Sequence, residues 1–291
     1  MFLKHSMTIL FVLCTFTFFL DSLPANDSAT SKIKALTYNI RYLNNRDGKD
    51  VWGNRRERVV EVIKDADVVG LQEVVKAQLD YIRENTPEFQ WYGVGRDDGK
   101  EKGEMTPIGI RKSKLSFVSR DTFWLSPNPK EVGRAGWDAA LPRIASWALL
   151  KLENGRQFYF VNTHFDHRGN LARIESGKLL GQWISEHSTN PAILLGDFNA
   201  RLEDAPLKSL LEHSRLRDAR AANNVDDRGP NTTWCGFKQL VDGRRIDHIF
   251  IAGDVEVTAY ETLNPKTSKG RFASDHLPIL SKLNLMPGKM K

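Results

Sequence analysis

Only two cysteines, Cys14 and Cys235, occur in the 291 residues of the chain. Cys14 lies in an apolar N-terminal stretch, so Cys235 stands alone in the remainder. That excludes an internal disulfide and a cysteine-based zinc site. The neighbouring Trp234 and Phe237 point to a buried thiol. Blocks of like charge are also lacking. The net charge of +6 and pI near 9.2 suit anionic partners such as phosphates or nucleic acid, yet Lys and Arg are scattered along the chain. There is no internal repeat, and no low-complexity segment follows residue 31. No Ser or Cys sits in a nucleophile context. No long basic stripe, aromatic ladder or RNA-binding module points to polymer binding. What is present is a globular composition, 41% hydrophobic and 27% charged, with enough apolar content for a core that needs no staples. The length fits one large sandwich or two smaller domains.

Long apolar runs are confined to the start of the chain. Lys4 and His5 precede the block from Met7 to Leu20, which is followed by Leu23-Pro24-Ala25. The block is short for a membrane span, and residues 1–25 read as a signal peptide with Ala25 as the cleavage point. The protein is therefore expected to be exported, secreted or periplasmic. The alternative is an uncleaved N-terminal anchor, and membrane contact is expected only in that case. Residues 26–31 read as a polar linker, 32–285 as one domain and 286–291 as a tail.

The domain alternates β-rich and helical runs. Ile33 to Ile40 alternates as a strand, and Val68 to Glu73 is an apolar run ending in a carboxylate. Asn54 to Asp65 has apolar residues at helical spacing, with Asn54 as its cap. Further helices are expected over 78–84, 174–187 and 205–213. Arg120 to Arg143 reads as a long irregular loop rich in aromatics and proline, and 223–230 as another loop. Asn154-Gly155 between two apolar runs marks a hairpin of 145–152 with 157–162. Strands are also expected at 107–110, 193–197, 245–251, 255–260 and from Leu277 onward.

The strand ends carry the chemistry. They finish in Asn39, Glu73, His164, Asp197 with Asn199, Asp247, and Asp275 with His276. Each alone has a plain structural reading: Asn39 or Asp275 as a cap, Glu73 as a helix start, His164 as a satisfied core histidine, Asp247 as a partner of Arg244 or Arg245. Together they imply one shared site at one sheet edge. Ligands so rich in oxygen suit Mg²⁺ or Mn²⁺ better than zinc.

The ordered motifs TYNIR, GLQEV, NTHFD, GDFNA, RIDHIF and SDHLPI resemble the endonuclease/exonuclease/phosphatase superfamily of metal-dependent phosphoesterases. The resemblance runs from about Lys32 to Leu285. It implies a four-layered α/β sandwich, two mixed β-sheets packed face to face with helices outside. It implies Glu73 as principal metal ligand, Asn39 beside it, and Asp275 as a second carboxylate near the metal. Asp197 is expected to activate the attacking water, with Asn199 holding it in place. His276, backed by Asp247, is expected to bond the phosphate. His164 matches a phosphate-contacting histidine of the deoxyribonuclease, deadenylase and inositol-phosphate 5-phosphatase branches; the apurinic-site branch has tyrosine there. Arg143, Arg173 and Asp166 are candidate substrate contacts. The expected reaction is water attack on a phosphoester, with a phosphodiester or nucleic acid slightly favoured over a sugar phosphate or other small phosphomonoester. The third possibility is a non-catalytic binding module of the same fold. The only expected partner is the phosphorylated substrate; no obligate protein partner is evident.

Overall fold

Alternating burial builds the first strand. In β1 (Ser31–Asn39) Ile33 and Ala35 turn inward while Lys32 and Lys34 face water. The computed structural model describes residues 31–187 and 189–286; the expected signal peptide and residues 26–30 of the expected linker lie outside the described residues. Ser31 itself belongs to the fold, because it pairs with Leu285 of β13 (Ile279–Leu285).

Two sheets form. The first has the order β10 (Asp226–Arg228), β12 (Val255–Thr262), β13, β1, β2 (Val68–Gln72), β4 (Ile108–Arg111), β3 (Phe89–Tyr92). The second has the order β5 (Leu115–Trp124), β6 (Ile144–Leu152), β7 (Gln157–His164), β8 (Ala192–Asp197), β11 (Asp247–Ala252), β9 (Arg217–Asp218). Both are mixed: β1 runs parallel to β2 and β7 to β8, while β13 and β11 pair with β1 and β8 antiparallel. Their inner faces make one core, Ile33, Val68 and Ile108 meeting Phe158, Ile193 and Ile249. On the outer side of the first sheet, α1 (Arg56–Lys64) and α2 (Lys76–Asn85) bury Val59, Ile63, Leu79 and Ile82 against Leu36 and Val69. On the outer side of the second, α3 (Asn170–Glu186) and α4 (Ala205–Glu212) bury Leu180, Ile184 and Leu207 against Val161 and Leu194. The result is the expected four-layered α/β sandwich.

The sheets approach closely where β2 faces β7 and β8. A Cβ on Gly70 would lie 2.3 Å from Leu195 Cδ1 and 2.7 Å from Asn162 Cγ, so only glycine fits. Beside it a buried amide pair crosses the gap. Gln72 Nε2 donates to Asn162 Oδ1 (2.6 Å) and Thr37 Oγ1 (3.2 Å). Asn162 Nδ2 donates back to the carbonyls of Leu71 (2.8 Å) and Pro107 (2.9 Å). Cys235 is buried as expected, its thiol donating to the Ser274 and Asp275 carbonyls, and burial pushes that thiol up to about 12.

Several local expectations need correction. Asn54 does not cap α1; it sits in a 3₁₀ turn with its amide on the Lys49 carbonyl (3.1 Å), and the helix begins after Arg55. Arg55 is buried instead, with its guanidinium on the carbonyls of Asp50 and Arg41 (2.9 Å each). Arg120–Trp124 belongs to β5, not to a loop: an edge strand exposes its charges, and a bulge between Phe117 and Ser119 breaks the alternation. The expected loop at 223–230 holds β10, three charged residues paired to β12 at the sheet edge. β3 carries no recognisable alternation and is an addition to the expected elements.

Substitution of Gly70 by Ala is expected to destabilise by about 1–3 kcal/mol through overpacking. Gly53→Ala, where an added Cβ meets nothing within 4 Å, should stay within about 0.5 kcal/mol. Urea unfolding of the two variants checks the contrast; equal midpoints would rule out a tight inter-sheet contact at Gly70.

Candidate active site

The topology delivers all the polar strand ends to one edge. β1, β2, β7 and β8 finish there, at Asn39, just before Glu73, at His164 and at Asp197. β11 starts there, with Asp247 directly opposite Asp197, and His276 lies just before β13. The backbone is bent to present them: Arg41 (φ 58°), Glu73 (φ 59°) and Asn199 (φ 47°) are all left-handed, a conformation costing about 1–3 kcal/mol at a non-glycine residue. Gly196 (φ 152°) lets β8 approach β7, since a Cβ there would lie 2.1 Å from the Thr163 carbonyl.

The side chains converge on a cavity of about 470 Å³. Asn39 links the two sheets across its floor, donating from Nδ2 to Glu73 Oε1 (3.0 Å) and to Asp197 Oδ2 (2.9 Å). Its own Oδ1 accepts the Arg41 N–H (3.0 Å), so the amide braces the carboxylates. Glu73 Oε2 accepts the Tyr42 N–H (3.1 Å). Asp197 Oδ1 accepts the Asn199 N–H (2.9 Å), and Asn199 Nδ2 reaches the Phe165 carbonyl (3.1 Å) and lies 3.2 Å from His164 Nε2. His276 Nδ1 is 2.8 Å from Asp247 Oδ2, and its Nε2 is 3.7 Å from Asp197 Oδ2.

The two histidines are driven apart. Burial alone lowers an imidazole, but the Asp247 and Asp197 carboxylates hold His276 well above its ordinary value. His164 is held well below it, by burial and by the nearby Arg143 and Arg96 guanidinia. Asp197 is pushed up to about 7, by burial first and by Asp247 next. Burial, with Glu73 adding, also raises Glu104; burial raises Asp275, to which Glu73 contributes as well. One group is thus suited to give a proton, another to receive one.

Glu73, Asp197 and His276 each offer a ligand atom, all within 4.8 Å of one another. The Glu73 and Asp197 carboxylates fit a divalent cation, which would offset the negative charge crowded here, where burial raises Asp197, Glu104 and Asp275. Asp275 lines the same cavity with Oδ2 3.9 Å from Arg41 Nε, outside that trio.

The expected substrate contacts divide. Arg143 lines the cavity, with Nε on Asp166 Oδ2 (3.3 Å) and Nη2 2.9 Å from His167 Nδ1. Its buried Nη1 has no partner among the described residues. Asp166 and Arg173 lie behind that wall. Asp166 accepts N–H groups of Ala140, Arg168 and Gly169, and Arg173 Nη1 donates to the Asp166 carbonyl (3.0 Å). Neither lines the cavity; Asp166 holds Arg143, and Arg173 holds Asp166. Sequence reasoning missed Glu104, paired to Arg96 through both oxygens (2.9 and 3.0 Å), and the rim residues Tyr42 and Trp234. Glu104 sits in a Gly- and Lys-rich turn with no periodicity to mark it; Trp234 was legible only as a neighbour of Cys235.

Residues 36–276 match the model of the Endonuclease/Exonuclease/phosphatase family. The chain belongs to this family. It is accordingly a phosphoesterase of the endonuclease/exonuclease/phosphatase type. A solved family structure from Bacteroides vulgatus is 37% identical, with a TM-score of 0.83 over 88% of this chain and 99% of that chain. A mannosyl-6-phosphatase of Bacteroides thetaiotaomicron is 34% identical, with a TM-score of 0.80 over 86% and 99%. D. rerio TDP2 in complex with single-strand DNA product shares the fold at 20% identity, TM-score 0.68, over 87% and 99%. Curated protein sequences give no match.

Asp166 carries a testable pH signature. Its backbone donors and Arg143 outweigh burial and hold it at about 2, below the ordinary 3.8. A depressed carboxylate stabilises the fold above the unfolded value, and that stability is lost as pH falls through the folded value. The urea midpoint should therefore drop between about pH 4 and pH 2, and Asp166→Asn should flatten that part of the profile. An unchanged slope in the variant would remove Asp166 from the account.

Proposed function

We propose that the chain is an exported, Mg²⁺- or Mn²⁺-dependent phosphomonoesterase acting on a small phosphorylated sugar. The observation carrying this reading is the buried Arg143 in the cavity wall with a spare N–H. A phosphomonoester is a dianion, and the desolvated Arg143 guanidinium together with the protonated His276 lining the same cavity matches that extra charge. The rim supports the same choice. Tyr42, Leu141 and Trp234 suit a compact leaving group. The similarity to a mannosyl-6-phosphatase supports it further and moves the balance away from the phosphodiester slightly favoured from the sequence. Export rests on the N-terminal segment read from the sequence.

In this reading Glu73 holds the cation, with Asp197 and Asn39 beside it. When bound, the ion neutralises charge on the phosphoryl group. Asp197 orients the attacking water and takes its proton, a task suited to a carboxylate near neutrality. Asn199 fixes Asp197 through its backbone N–H. Protonated His276 donates from Nε2 to a phosphoryl oxygen, with Asp247 holding the proton on Nδ1. Neutral His164 and the Arg143 Nη1 bind the remaining oxygens. Trp234, with the Arg244 guanidinium 3.9 Å from its ring centre, walls the leaving-group side.

Asp197→Asn and His276→Gln should each lower kcat on mannose 6-phosphate by on the order of a thousandfold with the Tm nearly unchanged. Arg143→Ala should chiefly raise KM for the monoester. The assay covers mannose 6-phosphate, glucose 6-phosphate, single-stranded DNA and RNA, with Mg²⁺ and with chelator. Turnover of the polymers but not of the sugar phosphates would overturn the monoester reading. Full activity in chelator or in the Asp197 variant would overturn the mechanism.

A further inference from the structure

A second cavity, about 540 Å³, lies on the outer side of the six-stranded sheet, between β5, β6 and α3. It shares no lining residue with the catalytic cavity. The 125–143 segment, which runs from the end of β5 to Arg143, contributes Pro129, Lys130 and Val132 to this cleft and Leu141 and Arg143 to the other. The volume falls in the range of small-ligand sites.

Its walls are aromatic and its rim is polar. Phe123, Trp147 and Trp183 are only partly buried there, with the Trp147 and Trp183 rings 5.5 Å apart at 44°. Around them stand Asp121, Lys130, Gln182 and Glu186, all exposed. Among the described residues, the side chains of Lys130, Gln182 and Glu186 make no hydrogen bond, nor do the indole N–H groups of Trp147 and Trp183. Asp121 uses only Oδ1, which accepts the Thr122 N–H (2.8 Å). A cleft with half-buried indoles, Trp183 stacked between Phe123 (6.0 Å) and His187 (3.9 Å), and with five or more uncommitted polar groups is built for more than packing.

The chemistry of the lining narrows the occupant. A purely apolar ligand would strip water from two carboxylates and an amide without replacing it. A phosphate-bearing ligand would meet Asp121 and Glu186 with only Lys130 to offset them. A neutral polyol ring satisfies both halves: its C–H face lies against an aromatic ring, and its hydroxyls donate to carboxylates and accept from amide, ammonium and indole groups. We propose that this cleft is an accessory binding site for a neutral oligosaccharide, separate from the catalytic cavity. It stands independently of the monoester reading.

The full chain is titrated with mannotriose, cellotriose and maltotriose at millimolar concentration, followed by tryptophan fluorescence and calorimetry. At least one trisaccharide should give a saturable change. The double substitution Gln182→Ala with Glu186→Ala, both on the exposed side of α3, should weaken that binding at least about tenfold. It should leave turnover of a soluble phosphoester and the near-UV spectrum unchanged. Arg143→Ala, in the catalytic wall, should leave trisaccharide binding intact. Trp183→Ala, if folded, should abolish the fluorescence change. No saturable binding of any of the three sugars overturns the proposal. So does binding that survives the double substitution or is lost with Arg143→Ala.

Discussion

The amide pair between Gln72 and Asn162 is the constraint on which the site rests. Each residue lies one or two positions before a polar strand end, Glu73 on one sheet and His164 on the other. Thr37, the third member, is two residues before Asn39. Two sheets packed through apolar side chains alone have some freedom to slide. A buried, directional set of hydrogen bonds does not, because a displaced amide is left unsatisfied in a dry interior. Gly70 allows the close approach that the amides require. The two sheets are therefore locked in register just below the point where their carboxylates must meet.

Above that lock the charges organise one another. Asn39 donates to a carboxylate from each sheet and so ties Glu73 to Asp197. Asp247 faces Asp197 across β8 and β11 and holds His276 from behind. An isolated buried acid would simply take up a proton. Here imidazolium, amide and backbone N–H groups divide the charge, and Asp197 is left near neutrality. The other histidine goes the opposite way: burial and the guanidinia of Arg143 and Arg96 hold His164 down, although Asp197 Oδ2 lies 3.5 Å from its Nε2.

How far all this was legible in the sequence depends on the kind of signal. The four-layer architecture was implied by the resemblance of the ordered motifs, while the strands at the centre of both sheets were legible from apolar runs that alternate or end abruptly. Edge elements were not. β5, β10 and β3 hold charged or mixed residues because water covers one side of them, and β5 carries a bulge as well. Asn54 has the residue type of a helix cap but is held in a preceding turn by the Lys49 carbonyl. The polar strand ends were visible because Gly-Asp-Phe-Asn and Ser-Asp-His interrupt apolar runs abruptly. Roles that depend on tertiary placement were hidden: Glu104 has no local pattern, and only the folded chain sets Asp166 and Arg173 behind Arg143 as its supports.

The left-handed backbone at Arg41, Glu73 and Asn199 has a consequence for recognition. These residues hold their conformations through contacts within the folded chain, Arg41 with Asp47, Glu73 with Asn39 and the Tyr42 N–H, and Asn199 with Asp197 and the Phe165 carbonyl, so the ordering entropy of the site is incurred during folding and not on meeting a ligand. A ligand entering such a site gives up mainly its own freedom. The protein behaves as a rigid template, and discrimination between substrates then rests on shape and charge at the rim, where single side chains can change without disturbing the frame beneath.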